Sequence, residues 1–233
     1  MATIYETDEY WSEHSTYHEG DAKFKATGCF DALQEAGLAP TTVLDIGCGS
    51  GKFLYELSEM LPTAEFLGVD VSPTPINRAN SMHAKANVKF EVGQASKIEG
   101  TFDLVTANDV IEHVDDYIGF LRDIRKIGRN FYFNIPLDMT AFSVARHAYL
   151  SARSSVGHLH YFSKQSALAT LEYCGFAVLH HRYNHAALHA VRTHPTVRTY
   201  IAALPRLTTF KIAPDASVHF LSGASLGVVC RQH

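Results

Sequence analysis

Three glycines at alternate positions mark the stretch of this sequence that is most suggestive of chemistry. The segment VLDIGCGSGKFL, at 43–54, holds Gly47, Gly49 and Gly51 directly after a short apolar run. Glycine permits positive φ and close backbone approach, so its repetition where a strand meets a helix indicates that a bulky polar group lies against this backbone. The spacing is GxGxG, because Lys52 occupies the third position of the dinucleotide fingerprint GxGxxG.

Polar residues also follow the next predicted strands. Asp70 ends the second strand, Gln94 and Ala95 follow the third, and the segment NDVIEHV, at 108–114, follows the fourth. The carboxyl ends of parallel strands meet at one edge of a sheet, where ligands bind. The carboxylate of Asp70 can accept hydrogen bonds from both hydroxyls of a ribose, and the amide of Gln94 can meet an adenine edge.

Strands and helices alternate along the first part of the chain. The apolar pattern predicts strands at 43–46, 66–69, 88–92, 102–107 and 130–135, and helices at 21–37, 52–60, 75–84 and 117–127. Strands separated by helices of this size predict βαβ units and a mostly parallel sheet.

The pattern changes after Pro136. We predict a helix at 139–150, a loop rich in His, Ser and Gly at 154–162, a helix from Ser163 through Cys174, and strands at 176–179 and 226–230. The region 184–215 contains three prolines and is left without an assignment.

In order and spacing, these motifs resemble those of the class I S-adenosylmethionine-dependent methyltransferases, in the small-molecule branch. VLDIGCGSG resembles their first motif, FLGVDVS the second, VGQAS the segment that meets adenine, and FDLVTANDVIEHVDD the motif after the fourth strand. The stretch GHLHYFSKQSALATLEYCGFAVL, at 157–179, is similar to the region before the last two strands. The resemblance implies an α/β, Rossmann-like fold: a mostly parallel seven-stranded sheet with helices on both faces, an N-terminal lid and an insertion after strand five.

The implied organisation places a lid and the first helix at 1–42 and a methyltransferase domain at 43–233. Substrate-binding insertions are expected at 136–175 and 184–220. The segment YWSEHSTYHEGDAKF is rich in aromatic residues, which either dock on the sheet edge or close over cofactor and substrate, as such segments do in similar enzymes. We predict that its Tyr17 and His18 contact the substrate.

The resemblance also implies contacts to the methionine part of S-adenosyl-L-methionine. Gly47 and Gly49 would lie along this part, Asp45 would order the turn, and Asn108 would lie nearby. No lysine or arginine is needed for a phosphate, because this cofactor has none.

The adenosine part would meet the next two strand ends. Asp70 would hold the ribose, Val71 would pack on the adenine, and Gln94 and Ala95 would meet its edge. Many members have Asp where this chain has Gln94; its amide oxygen can still accept from the adenine amino group.

Methyl transfer to a hydroxyl needs in-line geometry, exclusion of water and a base, and histidine is the usual base near neutral pH. His158 and His160 lie in a loop after the fifth strand, separated by one residue, and at most one of them is expected to face the pocket. We predict His160 as the base, because Tyr161 and Phe162 anchor it, ahead of His158 and then His113.

A metal site made by Asp109, Glu112, His113 and His160 is an alternative, because some quinone-pathway O-methyltransferases with similar EHV segments use a divalent ion. Glu112 and His113 are adjacent, which is not the spacing of a strong metal motif. The prediction is therefore no metal.

Charge is distributed unevenly along the 233 residues. Residues 1–138 carry 22 acids against 11 Lys or Arg, whereas residues 139–233 carry two acids against nine Lys or Arg. Either this is ordinary surface variation or it creates a positive field near an anionic substrate. We predict an anionic acceptor, with Arg153 as a binding residue.

Several classes of protein are disfavoured by what the sequence lacks. The four cysteines have no CxxC spacing, which predicts buried reduced thiols, and no apolar run approaches 18 residues. We expect a cytoplasmic protein with no membrane partner. The segment NDVIEH differs from the (N/D)PP(Y/F) motif of base methyltransferases, so no nucleic-acid partner is predicted. Oligomeric state is not predicted.

The predicted function is therefore O-methylation of a small anionic or sugar-like metabolite by S-adenosyl-L-methionine. The alternatives are N-methylation of a small amine, an NAD-dependent oxidoreductase and a non-catalytic binding module on the same scaffold. The missing third fingerprint glycine counts against the oxidoreductase, and the intact glycine loop counts against the binding module.

Overall fold

Seven strands form one sheet in the computed structural model, which describes residues 19–185, 191, 196–221 and 223–233. The strands are β1 (Thr42–Ile46), β2 (Glu65–Asp70), β3 (Val88–Val92), β4 (Phe102–Asn108), β5 (Gly128–Pro136), β6 (Phe176–His185) and β7 (Ala224–Gln232). Their order is β3-β2-β1-β4-β5-β7-β6, and β7 runs antiparallel to both of its neighbours while the other pairs are parallel. This is the predicted Rossmann-like, mostly parallel fold.

Helices cover both faces of the sheet. They are α1 (Ala22–Glu35), α2 (Lys52–Met60), α3 (Pro73–Met82), α4 (Tyr117–Ile124), α5 (Ala141–Ala145), α6 (Ala148–Val156), α7 (Lys164–Tyr173), α8 (Val197–Ile212) and α9 (Pro214–Phe220). One apolar core joins the sheet to α1, α2 and α3, and a second joins it to α4, α7 and α9. In the described part of the chain, no helix combines the length and apolar character needed to cross a bilayer.

The main differences from the predicted elements lie after residue 136. The predicted helix at 139–150 is two helices, α5 and α6, because the backbone reverses at His147, whose φ is +53°. The predicted strand at 176–179 continues to His185 as β6. This is an edge strand with a partly solvated polar face, so its second half lacks the apolar run of a central strand.

The described N-terminal part contains a helix that packs against the sheet. Tyr17 and His18, predicted to contact substrate, lie outside the described residues. Helix α1 belongs to the core, since Ala26, Cys29 and Leu33 are fully buried against the sheet. The division at residue 42 and the two substrate-binding insertions stay predictions.

A buried polar chain connects the edge strand β6 to the carboxyl end of β4. The amide of Asn184 donates to the Tyr132 hydroxyl over 3.1 Å and to Asn134 Oδ1 over 2.8 Å. The amide of Asn134 donates in turn to Asp109 Oδ1 over 2.7 Å. Asn134 and Asn184 are both buried, so each of these bonds satisfies a group that water does not reach.

Replacing Asn184 by alanine should therefore destabilise the fold. The substitution leaves Asn134 Oδ1 and the Tyr132 hydroxyl without this donor, which costs about 1–3 kcal/mol of unfolding free energy. Urea unfolding followed by circular dichroism measures it. Asn77→Ala on α3 is the control, because Asn77 is exposed and its replacement should change the unfolding free energy by no more than about 0.5 kcal/mol. Equal effects of the two substitutions would contradict this account.

Candidate active site

The first four strands end at one cleft of about 920 Å³. It lies where β1 has β2 on one side and β4 on the other, the point at which the strand order reverses and ligands bind in open α/β sheets. Every residue that the sequence assigned to the cofactor lines this cleft: Asp45, Gly47, Gly49, Asp70, Val71, Gln94, Ala95 and Asn108.

The glycine turn exposes backbone to the cleft. Gly47 has a φ of +71°, and a Cβ on it would approach Val110 Cγ2 to 2.7 Å. Gly49 has a φ of +52°, but no atom lies within 4 Å of the place its Cβ would take. The two glycines therefore serve different needs: Gly47 gives room to the segment after β4, and Gly49 leaves open space in which a ligand can lie against the backbone.

Asp70 fixes this turn to the end of β2. Its Oδ2 accepts from the Gly49 N–H over 2.9 Å, and its Oδ1 accepts from the Ser72 N–H over 2.9 Å. Burial raises the pKa of Asp70, although these backbone N–H groups oppose the shift. Each carboxylate oxygen can accept a further hydrogen bond, so the pair suits the two hydroxyls of a ribose. Val71 follows and is 42% exposed at the cleft wall.

Asp45 lies beneath the turn and faces β4. Its Oδ1 accepts from the Thr106 hydroxyl over 2.6 Å and from the Asn108 amide over 3.3 Å. Both of these bonds run to β4, whereas the sequence suggested that Asp45 orders the glycine turn. Asn108 Oδ1 is buried and has no hydrogen-bond partner among the described residues, and it lies at the end of β4 beside the cleft.

Lys25 and Asp109 form an ion pair at the cleft that the sequence did not reveal. Lys25 Nζ lies 2.6 Å from Asp109 Oδ2 and 2.8 Å from Asp21 Oδ2. Burial lowers the pKa of Lys25, but the two carboxylates outweigh burial and raise it above its ordinary value. Asp109 has a φ of +53°, and the bond from Asn134 also holds it there. Helix α1 is thus tied to the segment after β4.

His113 and His158 meet at the wall of the cleft. Their rings pack edge to face with 4.8 Å between centroids, and both side chains line the cleft. His113 Nδ1 donates to the Gly157 carbonyl oxygen over 3.2 Å, and His158 Nδ1 donates to Asp138 Oδ2 over 2.6 Å. The carbonyl and the carboxylate can only accept, so each ring carries a proton on Nδ1. In the neutral form of each imidazole the lone pair is therefore on Nε2.

His160, the base that we predicted first, lies elsewhere. Its Nε2 donates to the Val114 carbonyl oxygen over 3.0 Å, and its ring packs 4.5 Å from that of Tyr117. It is not among the described residues that line the cleft, so the two loop histidines do face different surroundings. The anchoring that favoured His160 in the sequence holds it against Val114 and Tyr117, whereas His158 lines the cleft.

Glu112 joins the histidine loop to the segment after β4. Its carbonyl oxygen accepts from the N–H groups of Leu159 and His160, over 2.7 and 3.1 Å. Its side chain is fully buried, and burial, with the nearby charge of Asp109, raises its pKa well above the ordinary value. Asp138 was missed by sequence reasoning, since nothing local marks a residue whose partner lies 20 positions away.

The charged lining of the cleft differs from the expected positive field. Among described residues it contains Lys25 and Lys52 and eight acids: Glu19, Asp21, Asp45, Asp70, Asp109, Asp115, Asp116 and Asp123. Arg153 is exposed on α6 and does not line the cleft. Lys164 pairs with Asp215, and Arg182 pairs with Asp31 and Glu35, so these basic residues balance local acids.

Comparison with known proteins identifies the family. A family model described as "Methyltransferase domain" matches residues 22–181, so the chain belongs to this methyltransferase family. The resemblance seen in the motifs is confirmed, and with it, at the level of the family, the enzyme class and its cofactor S-adenosylmethionine.

Individual relatives align over part of their length. A malonyl-[acyl-carrier protein] O-methyltransferase of Legionella pneumophila is 30% identical over 54% of this chain and 47% of its own. A ubiquinone biosynthesis O-methyltransferase of Methylobacterium is 34% identical over 49% of each. The chain spans about half the length of these curated relatives.

The fold extends over nearly the whole chain of a solved structure. The magnesium protoporphyrin IX methyltransferase of Synechocystis, with bound SAH, superposes with a TM-score of 0.63 at 14% identity, covering 97% of this chain and 94% of that one. At this identity the likeness concerns the fold, which it confirms.

The buried Asp45 predicts a pH dependence of stability. Burial raises its pKa from 3.8 to about 7 in the folded state, so the folded protein binds a proton that the unfolded chain has released. The unfolding free energy should therefore fall as pH rises between these values, by up to about 1.4 kcal/mol per pH unit from this residue. Asp45→Asn should remove that part of the slope, measured by urea unfolding from pH 5 to 7.

Asp103→Asn is the control for this experiment. The Thr41 hydroxyl and N–H lower the pKa of Asp103, so it is ionised in both states above pH 5 and its replacement leaves the slope unchanged there. A slope that Asp45→Asn does not reduce would show that Asp45 is ionised in the fold.

Proposed function

We propose that this chain transfers a methyl group from S-adenosylmethionine to a hydroxyl of a small-molecule acceptor. The observation that carries the proposal is the convergence of four strand ends and the His113–His158 pair on one cleft. When bound, the cofactor supplies a methyl group already activated on a sulfonium. The chain's own residues must then bind, orient the acceptor and take its proton.

The lining suits this cofactor residue by residue. Asp70 is held by two backbone N–H groups with its oxygens still able to accept from ribose hydroxyls. Val71 and Ala95 offer apolar surface to the adenine, with the Gln94 amide at its edge. The unpartnered Asn108 Oδ1 can accept from the ammonium of the methionine part, beside the open backbone of Gly49.

His158 is the proposed general base. Its proton on Nδ1 is donated to Asp138, so Nε2 is the atom that accepts the acceptor's hydroxyl proton. Asp138 fixes the orientation of the ring and stabilises the imidazolium after that proton arrives. His113 packs against the ring edge to face and limits its rotation. A base held by a carboxylate supports O-methylation over N-methylation, because a neutral amine attacks without losing a proton first.

We propose a small molecule rather than a nucleic acid as the acceptor, and a neutral one rather than the anionic one expected from the sequence. The eight acids that line the cleft give no support to the expected anionic acceptor or to Arg153 as its partner. A neutral, hydroxylated metabolite fits better, and sugar-like acceptors remain within this class. Tyr17 and His18 stay predicted contacts.

Removing the Asp70 carboxylate should weaken cofactor binding. Each charge-assisted bond to a ribose hydroxyl contributes about 1.5–3 kcal/mol, so Asp70→Ala should raise the Kd of S-adenosylhomocysteine at least about tenfold in calorimetry. Glu65→Ala is the control, because Glu65 is exposed at the opposite end of the same strand. Unchanged affinity in a folded Asp70→Ala protein would remove Asp70 from the site.

Replacing the two loop histidines should separate base from scaffold. With an acceptor found by screening phenols, hydroxy acids and sugars, His158→Asn should lower kcat by about 10²–10⁴ while the Kd of the cofactor stays constant. His160→Asn should leave both kcat and the Kd of the cofactor close to those of the wild type. The reverse ranking would restore His160 as the base.

A further inference from the structure

Glu112 is a buried carboxylate with no hydrogen-bond partner for its side chain. It is fully inaccessible to solvent, and neither Oε1 nor Oε2 has a partner among the described residues. A buried polar group in this state costs free energy unless a proton or a cation satisfies it. The nearest histidine atom, His113 Nε2, lies 3.8 Å from Glu112 Oε1.

The histidines beside Glu112 are held as metal ligands are held in proteins. A ligating imidazole nearly always donates its second ring N–H to a carboxylate or a backbone carbonyl, which fixes its orientation. His158 donates Nδ1–H to the Asp138 carboxylate, and His113 donates Nδ1–H to the Gly157 carbonyl. Both rings are therefore set to present Nε2.

We infer that Glu112, His113 and His158 form a binding site for a divalent transition-metal ion at the wall of the cleft. Each side chain offers one ligand atom, and these atoms lie within 4.8 Å of one another. Ligands at about 2.0–2.2 Å from one ion are roughly 3–3.5 Å apart, so small side-chain rotations must draw the three together.

This set differs from the one considered in the sequence, where no metal was predicted. Asp109 is held by Lys25 and Asn134, and His160 donates to the Val114 carbonyl, so both are engaged elsewhere. His158 takes their place, although it lies 46 residues beyond Glu112 in the chain. The loop at 157–163 brings it there by pairing two N–H groups with the Glu112 carbonyl.

The ligand types select the class of ion. Two imidazoles and one carboxylate suit Zn²⁺, Co²⁺, Mn²⁺ or Fe²⁺, whereas Mg²⁺ and Ca²⁺ prefer oxygen ligands alone. Three protein ligands leave further coordination positions for water or an acceptor oxygen, and His113 and His158 line the cleft in which that oxygen would lie.

The site has a direct consequence for the proposed function. His158 Nε2 cannot accept a proton and bind an ion at once, so metal occupancy decides how the acceptor is activated. Only this consequence rests on the proposed methyl transfer; ion binding itself does not. A bound ion would hold the acceptor oxygen and lower the pKa of that hydroxyl group. The hydroxyl proton would then pass to solvent instead of to His158.

The test uses the full chain, freed of metal by a chelator and titrated with Co²⁺ and then Zn²⁺. We expect one equivalent of Co²⁺ to bind by calorimetry and to give visible d–d absorption, which Zn²⁺ displaces. Glu112→Gln and His158→Gln should each weaken Co²⁺ binding at least about tenfold, and Asp138→Asn about 10–100-fold through the orientation of His158. Glu112→Gln keeps the shape of the side chain and removes its charge. If Glu112→Gln does not fold, His158→Gln tests the same site.

His219→Gln is the matched control, because His219 is exposed on α9 and separates adventitious binding by surface histidines from binding at the cleft. Loss of Co²⁺ binding in His219→Gln, no stoichiometric binding by the wild type, or equal binding by folded Glu112→Gln and His158→Gln would each overturn the inference. Calorimetry with S-adenosylhomocysteine on the same samples keeps the two proposals apart. Cofactor binding without ion binding refutes only the metal site, and ion binding without cofactor binding refutes only the methyltransferase proposal.

Discussion

The pairing of one carboxylate with two backbone N–H groups holds the candidate site together. Asp70 accepts from Gly49 and from Ser72, so the turn after β1 and the start of α3 are fixed to the end of β2. That turn can approach β2 so closely only because Gly47 and Gly49 adopt positive φ, and the result is open backbone facing the cleft. The same carboxylate lines the cleft, so one side chain both shapes the cleft and offers hydrogen-bond acceptors to it.

The residues expected to hold the cofactor could be predicted from sequence to share one cleft, because each of them lies at the carboxyl end of a strand or just after it. Strand ends in a parallel sheet share one edge, so Asp70, Gln94 and Asn108 had to converge once the strands were recognised. Helix α2 and strand β3 begin and end where predicted, since apolar period and glycine punctuation agree there. Such agreement between local signals leaves little for long-range packing to change.

The acceptor half depends on contacts between distant segments, which local patterns do not encode. Nothing near Asp138 indicates that His158 will return to it, and the choice of His160 failed to account for the Val114 carbonyl that it meets. The charge asymmetry along the chain did not predict the charge of the cleft lining, for a related reason. Lys164 and Arg182 balance nearby acids, whereas the acids of the cleft come from the ends of strands, from the segments just before α1 and α4, and from α4 itself. An acidic cleft also suits a cofactor whose sulfonium is positively charged.

A crystal structure with S-adenosylhomocysteine tests the central claim most directly, because it shows at once whether the four strand ends form one cofactor site. The account predicts both ribose hydroxyls on the Asp70 carboxylate, the adenine between Val71 and Ala95 with its edge at Gln94, and the homocysteine part along Gly49 towards Asn108. A ligand bound outside this cleft, or bound within it without contact to Asp70, would contradict the account.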